Sequence, residues 1–194
     1  MDPGQAAGGG FPIERSRSGS VLDTGRAAAS SWQASSSKEG GALMRLDRGA
    51  TGFCGPGGEP ANETDLTLFR SACWEAARRI GGRVGELPPA GASSFHSAAI
   101  TSRAEELVVL CHAHLPVVAF TEPRPVPGQP LTRFVNPPPW ADAFTAFGFR
   151  CLQVEDLSLP MSTVDVAELA EAELTQIRYW RPQSLGDLVF NWWD

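Results

Sequence analysis

The apolar positions of the chain first follow a helical period at Thr64 or Asp65. From there, apolar side chains recur at three- and four-residue spacing in one stripe, and Gly81 and Gly82 follow it directly. A polar cap, a stripe of this period and a glycine stop predict an amphipathic helix. The residues of the stripe are Leu66, Phe69, Cys73, Ala76 and Ile80.

Three strand-like apolar runs come next along the chain. They cover Phe95 to Thr101, Leu107 to His114 and Val117 to Glu122. A proline-rich stretch from Pro123 to Pro130 then predicts a loop, and Leu131 to Asn136 predicts one more short strand. Consecutive short strands joined by brief turns favour an antiparallel meander.

The C-terminal part mixes helices with a strand. The triple proline at 137–139 predicts the start of a helix, and Phe149 to Val154 predicts a strand. Ser162, with Asp165 three residues later, predicts the capped start of a helix that continues to about Tyr179. This arrangement predicts an α+β domain, with an antiparallel sheet of about four to six strands and about three flanking helices.

Residues 1–61 show no hydrophobic period and consist mainly of Gly, Ala and Ser with scattered charges. Such a segment buries too little apolar surface to offset its ordering entropy. We expect it to be a disordered low-complexity tail, and Met44 offers an alternative start for the protein. Because a chain of 194 residues has room for one ordinary domain, residues 62–194 are predicted to form a single α+β domain.

The last sixteen residues, Tyr179 to Asp194, hold three of the six tryptophans. They are too apolar for a solvated tail, so we expect them to pack on the domain or on a partner. If residues 188–193 run extended, Phe190 and Trp192 share one face and Trp193 lies on the other. Such a segment is either a buried strand or a strand with one face awaiting a partner.

The net charge of −6 is that of the C-terminal segment. Residues 1–62 carry six basic and six acidic side chains, whereas residues 151–194 carry eight acidic side chains against Arg178 and Arg181. This charge disfavours nucleic acid and anionic membranes as partners and permits a basic one. The apolar runs are also too short to span a bilayer, and no export signal precedes them.

The four cysteines are far apart and show no zinc-finger spacing. Three of them lie within apolar runs, which is typical of reduced thiols in a cytoplasmic protein. Fifteen arginines against one lysine, with abundant Ala, Gly and Pro, are typical of a GC-rich bacterial genome.

The three histidines lie close together in the sequence. His112 and His114 would share one face of a strand, and this spacing is found in many metal sites. A three-residue hairpin turn, Arg103 to Glu105, would place His96 opposite His112, and Glu122 could add a carboxylate. A two-residue turn would scatter the cluster. A divalent metal is therefore a hypothesis that depends on the hairpin register, and half-buried histidines that bond backbone carbonyls are the alternative.

The two-residue turn would instead place His96 opposite Cys111, which suggests a thiol nucleophile with a neighbouring base. A reactive thiol needs an electropositive and partly exposed setting. Because Cys111 follows four apolar residues, a core thiol explains it better.

No signature of catalysis, nucleotide binding or nucleic-acid binding stands out, so we interpret the chain as a non-catalytic intracellular protein-binding domain that needs no cofactor. Its most concrete form is an immunity-type inhibitor of a basic partner. The predicted partner-binding residues are Glu168, Glu171, Phe190, Trp192 and Trp193. One alternative is a metal-binding protein or metal-dependent enzyme that uses His96, His112 and His114. Another is a homo-oligomeric assembly subunit that buries its C-terminal aromatic residues.

Overall fold

The structure, a computed structural model, describes residues 34–35, 43–53, 62–87, 93–123, 131 and 133–193. These residues form the predicted α+β fold, with two β-sheets and five α-helices among them. The remainder of the predicted tail, the proline-rich loop at 124–130 and Cys54 lie outside the described residues.

The described strands are β1 (Ala34–Ser35), β2 (Leu43–Arg45), β3 (Arg83–Val84), β4 (Phe95–Thr101), β5 (Glu106–His112), β6 (Val117–Thr121), β7 (Phe134–Val135), β8 (Arg150–Cys151) and β9 (Val164–Asp165). The described helices are α1 (Leu66–Arg79), α2 (Asp142–Ala146), α3 (Val154–Leu157), α4 (Glu171–Trp180) and α5 (Leu185–Val189). Two short 3-10 helices cover Pro139–Ala141 and Met161–Thr163.

Helix α1 confirms the first predicted element. Asp65 caps it, because its Oδ1 accepts hydrogen bonds from the backbone N–H groups of Thr67 and Leu68 at 2.8 and 3.2 Å. Gly81 follows its end at a φ of 58°, a left-handed conformation that glycine adopts without strain. Five buried residues form its inner face: Phe69, Ala72, Cys73, Ala76 and Ala77.

The larger sheet is mixed rather than purely antiparallel. Strands β3, β4, β5, β6 and β7 pair in that order with antiparallel neighbours, as predicted. Strand β8 pairs with β6 in the parallel direction, so the expectation of an antiparallel sheet is wrong there. A parallel return needs a crossover connection, and the Pro139–Ala141 turn with α2 provides it.

Hydrophobic cores lie on both faces of this sheet, because side chains alternate along each strand. One face carries Ile100, Val109 and Phe120, and α1 and α2 pack against it. The other face carries Leu110 and Ala119, and the described segments 43–53 and 152–193 cover it.

Residues 43–53 belong to the packed domain, so the predicted boundary at residue 62 is too late for this segment. Strand β2 pairs in parallel with β9, and Met44, Leu46 and Ala50 are buried in the second core. These apolar residues are too few to show a period in the sequence. The segment is ordered by its pairing with β9, which is far away in the sequence.

The helix predicted from Ser162 to Tyr179 begins nine residues later, at Glu171. The earlier part forms a 3-10 turn and β9, because Val164 is buried opposite Met44. Asp165 accepts a hydrogen bond from the N–H of Ala167 at 3.0 Å and closes a turn instead of capping a helix.

The C-terminal segment begins as a helix rather than as an extended strand. Ser184 Oγ accepts a hydrogen bond from the N–H of Asp187, and Asp187 Oδ2 accepts one from the N–H of Ser184. This reciprocal cap starts α5, whose buried residues fill the second core. Phe190 ends the helix and is buried as well, so it does not form part of an exposed surface.

Candidate functional site

The β4–β5 hairpin has the two-residue turn. Ser102 N–H donates to the carbonyl of Glu105 at 2.8 Å, and Thr101 pairs with Glu106. His96 therefore lies opposite Cys111, on the sheet face that α1 covers. His112 lies opposite Phe95, on the other face. The histidine face that the three-residue turn would have assembled is not formed.

His112 is a buried structural histidine. Its Nε2 donates to the carbonyl of Ala50 at 3.1 Å, and its Nδ1 accepts from the backbone N–H groups of His114 and Leu115 at 3.1 and 3.0 Å. Both ring nitrogens are thus engaged, which fixes the neutral Nε2–H tautomer. Burial, first of all, lowers the pKa of His112 to about 3. The ring ties the segment around Ala50 to the sheet.

The other expected metal ligands do not complete a site around His112, although the centroid of the His114 ring lies 6.1 Å from that of the His112 ring. His114 follows the end of β5, and its Nδ1 is buried without a hydrogen-bond partner among the described residues. Glu122 forms an ion pair with Arg133. In the described part of the chain, no three His, Cys, Asp or Glu side chains are grouped so that they could hold a metal ion.

The thiols are protected by burial. Burial raises the pKa of Cys111 far above its ordinary value and raises the pKa of Cys73 to about 12. The pKa of the Cys151 thiol is also raised, chiefly by burial. Although His96 lies opposite Cys111, a buried thiol of this kind is not an activated nucleophile.

The predicted acidic surface is largely engaged within the chain. Glu168 pairs with Arg45, and Glu171 pairs with Arg178. Three further carboxylates accept hydrogen bonds from backbone N–H groups at turns and helix starts: those of Asp156, Asp165 and Asp187. Most of the described carboxylates of this segment therefore already have a partner within the chain.

Glu173 is a buried carboxylate that holds α4 to the N-terminal segment. Its Oε1 accepts hydrogen bonds from Gly49 N–H, Thr51 N–H and Thr51 Oγ1 at 3.1, 3.3 and 2.9 Å. Its Oε2 accepts one from Ala170 N–H at 3.0 Å, at the start of α4. Four donors compensate the cost of burying this charge. Sequence inspection did not single out this residue.

A cavity of about 260 Å³ opens between the end of α4 and the segment after α5. Trp180 and Trp193 stack at its border, with ring centroids 6.4 Å apart and planes 10° from parallel. Tyr179 and Trp180 are 74% and 42% exposed. The residues that line the cavity are Leu131, Trp180, Arg181, Pro182, Gln183, Asp187, Phe190, Asn191, Trp192 and Trp193.

The polar groups of the cavity differ in whether they have partners. Asn191 Nδ2 donates to two carbonyls, its Oδ1 accepts from Trp193 N–H, and Asp187 caps α5. In contrast, the Arg181 guanidinium has no hydrogen-bond or ion-pair partner among the described residues. Trp192 Nε1 is buried and likewise has no partner within the described ranges. Both groups without partners are hydrogen-bond donors.

The predicted partner-binding residues thus separate into two groups. Phe190, Trp192 and Trp193 all line the cavity, although Phe190 is a buried wall residue, whereas Glu168 and Glu171 do not line it and are ion-paired. Sequence reasoning missed Trp180 and Arg181. The sequence offered one signal for them. Two large aromatic residues, Tyr179 and Trp180, follow the last inward position of the helix and directly precede Arg181-Pro182.

Comparison with known proteins leaves the function of this cavity to be argued from its own geometry. No family model, curated protein or solved structure matches the chain. Among the described helices, none has the length and apolar character needed to cross a bilayer.

Proposed function

We propose that the chain is a non-catalytic protein-binding domain and that it binds its partner at the cavity bordered by Trp180 and Trp193. The observation that carries the proposal is an exposed aromatic cluster beside an open cavity. Tryptophan and tyrosine are enriched in the residues that dominate binding energy at protein interfaces. Large exposed aromatic groups that gather in one place, rather than singly, are typical of interaction sites.

The aromatic border supports binding better than the acidic helix does. The carboxylates of Glu168 and Glu171 already have arginine partners, and exposed ion pairs of this kind contribute little energy. Tyr179 and Trp180, in contrast, keep most or much of their surface in solvent. A partner that covers them would remove apolar area from water.

Binding is favoured over catalysis because of what the cavity contains. Among the described lining residues, the ionisable side chains are those of Arg181 and Asp187, and Asp187 is engaged in the cap of α5. Acid–base catalysis requires a positioned proton donor or acceptor, and covalent catalysis requires an activated nucleophile. The described lining residues offer neither arrangement.

Site-specific photo-crosslinking tests the proposal. A benzoylphenylalanine at position 179 should give a discrete adduct with one protein in lysate of the source cells. The same group at position 74 should not, because Trp74 is 61% exposed on α1, away from the cavity. Trp180→Ala should remove the adduct at position 179. Equal labelling from positions 74 and 179 would contradict the proposal.

The assembly alternative gives a different result in the same experiment. A homo-oligomer that buries these aromatics would produce an adduct of twice the mass of the chain from purified protein alone. Sedimentation of wild type and Trp180→Ala would then show an oligomer that is lost in the variant.

A further inference from the structure

We propose that the cavity takes a linear segment of the partner protein in which an apolar anchor side chain is flanked by Asp or Glu. The inference rests on the proposed function and names the chemistry of the partner at the same site. It reverses the sign of the partner charge that the sequence composition suggested.

The walls of the cavity select an apolar anchor. Trp180, Trp193 and Phe190 contribute aromatic surface, and Leu131 and Pro182 add aliphatic surface. A cavity of about 260 Å³ is large enough for a side chain of leucine or phenylalanine size. Apolar lining with a few polar groups is the usual composition of a site that fixes a ligand by shape and orientation.

The unpaired guanidinium of Arg181 selects a carboxylate beside that anchor. Asp187 is the acidic side chain among the described lining residues, and its Oδ2 already accepts hydrogen bonds from Gln183 N–H and Ser184 N–H at 3.1 Å each. The exposed guanidinium of Arg181 has no acceptor among the described residues. A guanidinium binds a carboxylate through paired charge-assisted hydrogen bonds.

The backbone of Arg181 gives an independent reason to assign it a role. It ends α4 at φ 51° and ψ 57°, and no other non-glycine residue in the described ranges has a positive φ. Helices α1 and α2 are instead followed by Gly81 and Gly148 at φ 58° and 87°. A non-glycine residue in this conformation is sterically strained, and such strain is often retained at functional sites.

The same charges favour a foreign partner over a second copy of the chain. In a twofold dimer the same patch meets itself, so among the described lining residues each Arg181 would find Asp187 as its counter-charge. Asp187 already caps α5, and two unpaired guanidinium groups in one interface repel each other.

Binding to defined peptides tests the inference. Three pools of fluorescein-labelled octapeptides would carry Leu or Phe at the fourth position, with flanking residues drawn from Asp and Glu, from Asn and Gln, or from Lys and Arg. Fluorescence anisotropy would measure the Kd of each pool for wild type, Arg181→Gln and Arg181→Lys. Arg70→Gln is the matched control, because Arg70 is exposed on α1 and does not line the cavity.

The acidic pool should bind wild type at least tenfold more tightly than the neutral and basic pools. Arg181→Gln should abolish this preference, Arg181→Lys should retain part of it, and Arg70→Gln should leave it unchanged. Circular dichroism would confirm that each variant is folded.

Equal binding of the three pools, tighter binding of the basic pool, or no binding of any pool would overturn the inference. The proposed function would survive each of these results if the adduct at position 179 persisted. An acidic preference that Arg181→Gln does not change would also overturn the assignment of Arg181.

Discussion

Helices α1 and α4 both expose a tryptophan, but they are attached to the domain in opposite ways. Helix α1 buries five apolar residues on its inner face, whereas Glu173 is the buried residue of α4. Trp74 is exposed on α1, and the buried inner face of this helix is enough to explain its position on the sheet. Tyr179 and Trp180 end a helix that a carboxylate anchors; Trp180 borders the cavity, and the Tyr179 ring contacts the Trp180 ring edge-on. The difference separates an element built for the core from one that presents side chains outward.

The largest effect that distinguishes the two helices is expected on α1. Phe69→Ala should lower the free energy of unfolding by about 4 kcal/mol, because a fully buried ring leaves a cavity beside Phe144 and Phe149. Denaturant unfolding would measure it. Leu68→Ala, at an exposed neighbouring position, should change the value by less than about 0.5 kcal/mol. Similar losses in both variants would contradict the assigned inner face.

Removal of the polar anchor should weaken α4 almost as much. Glu173→Ala leaves the donors of Gly49, Thr51 and Ala170 without their acceptor, and we expect a loss of about 3 kcal/mol. Glu171→Ala on the same helix is the control, because its exposed pair with Arg178 contributes less than about 1 kcal/mol. A loss below 1 kcal/mol in Glu173→Ala would show that α4 is held in another way.

Stability should also fall in mild acid because of His112. The pKa of its ring is lowered to about 3 in the folded chain, against about 6.5 in an unfolded chain. As the pH falls below about 6.5, the unfolded chain gains a proton that the folded chain does not take up, and the loss continues until about pH 3. Between pH 7 and pH 5 the free energy of unfolding should fall by about 2 kcal/mol.

Urea unfolding at the two pH values measures this difference. His112→Gln should reduce the pH dependence, since the variant has no imidazole to titrate at this position. Equal stability of the wild-type chain at pH 5 and pH 7 would contradict the buried neutral state of His112. The half-buried His96 has its pKa lowered in the same direction, chiefly by burial, and adds a smaller contribution.

Relief of the strain at the end of α4 should stabilise the domain slightly. Arg181→Gly should raise the free energy of unfolding by about 1 kcal/mol, because glycine adopts the positive φ without a steric cost. Gly81→Ala is the mirror control: its Cβ would meet open space, so the positive φ alone should cost about 1 kcal/mol. A destabilised Arg181→Gly variant would show that the arginine side chain supports the fold itself.

The sequence predicted those elements that form because of the regular apolar pattern of their own side chains. Helix α1 and strands β4, β5 and β6 have regular apolar patterns, and they form close to the predicted positions. The segments 43–53 and 162–170 were misassigned because pairing between β2 and β9, far apart in the sequence, determines their structure. The S-x-x-D signature at Ser184 and Asp187 is typical of a capped helix start and indicates α5. The apolar run that follows it favoured an extended segment instead.

The site was only partly predictable for the same physical reason. A concentration of aromatic residues near the end of the chain was visible, and three residues of that cluster line the cavity. The ion pairs of Glu168 and Glu171 were not visible, since Arg45 lies over a hundred residues from Glu168 and the partner of Glu171 depends on rotamers. The histidine register depended on one residue of turn length, which propensity does not decide.

The most direct test of the central claim compares the two exposed tryptophans in one binding measurement. The peptide pool that binds wild type most tightly would be titrated into Trp180→Ala and Trp74→Ala, with unfolding measured in parallel. We predict that Trp180→Ala weakens binding at least tenfold and lowers stability by about 1 kcal/mol, through loss of the stack on Trp193. Trp74→Ala should retain wild-type binding. Wild-type affinity in both variants would contradict the claim that the end of α4 forms the binding site.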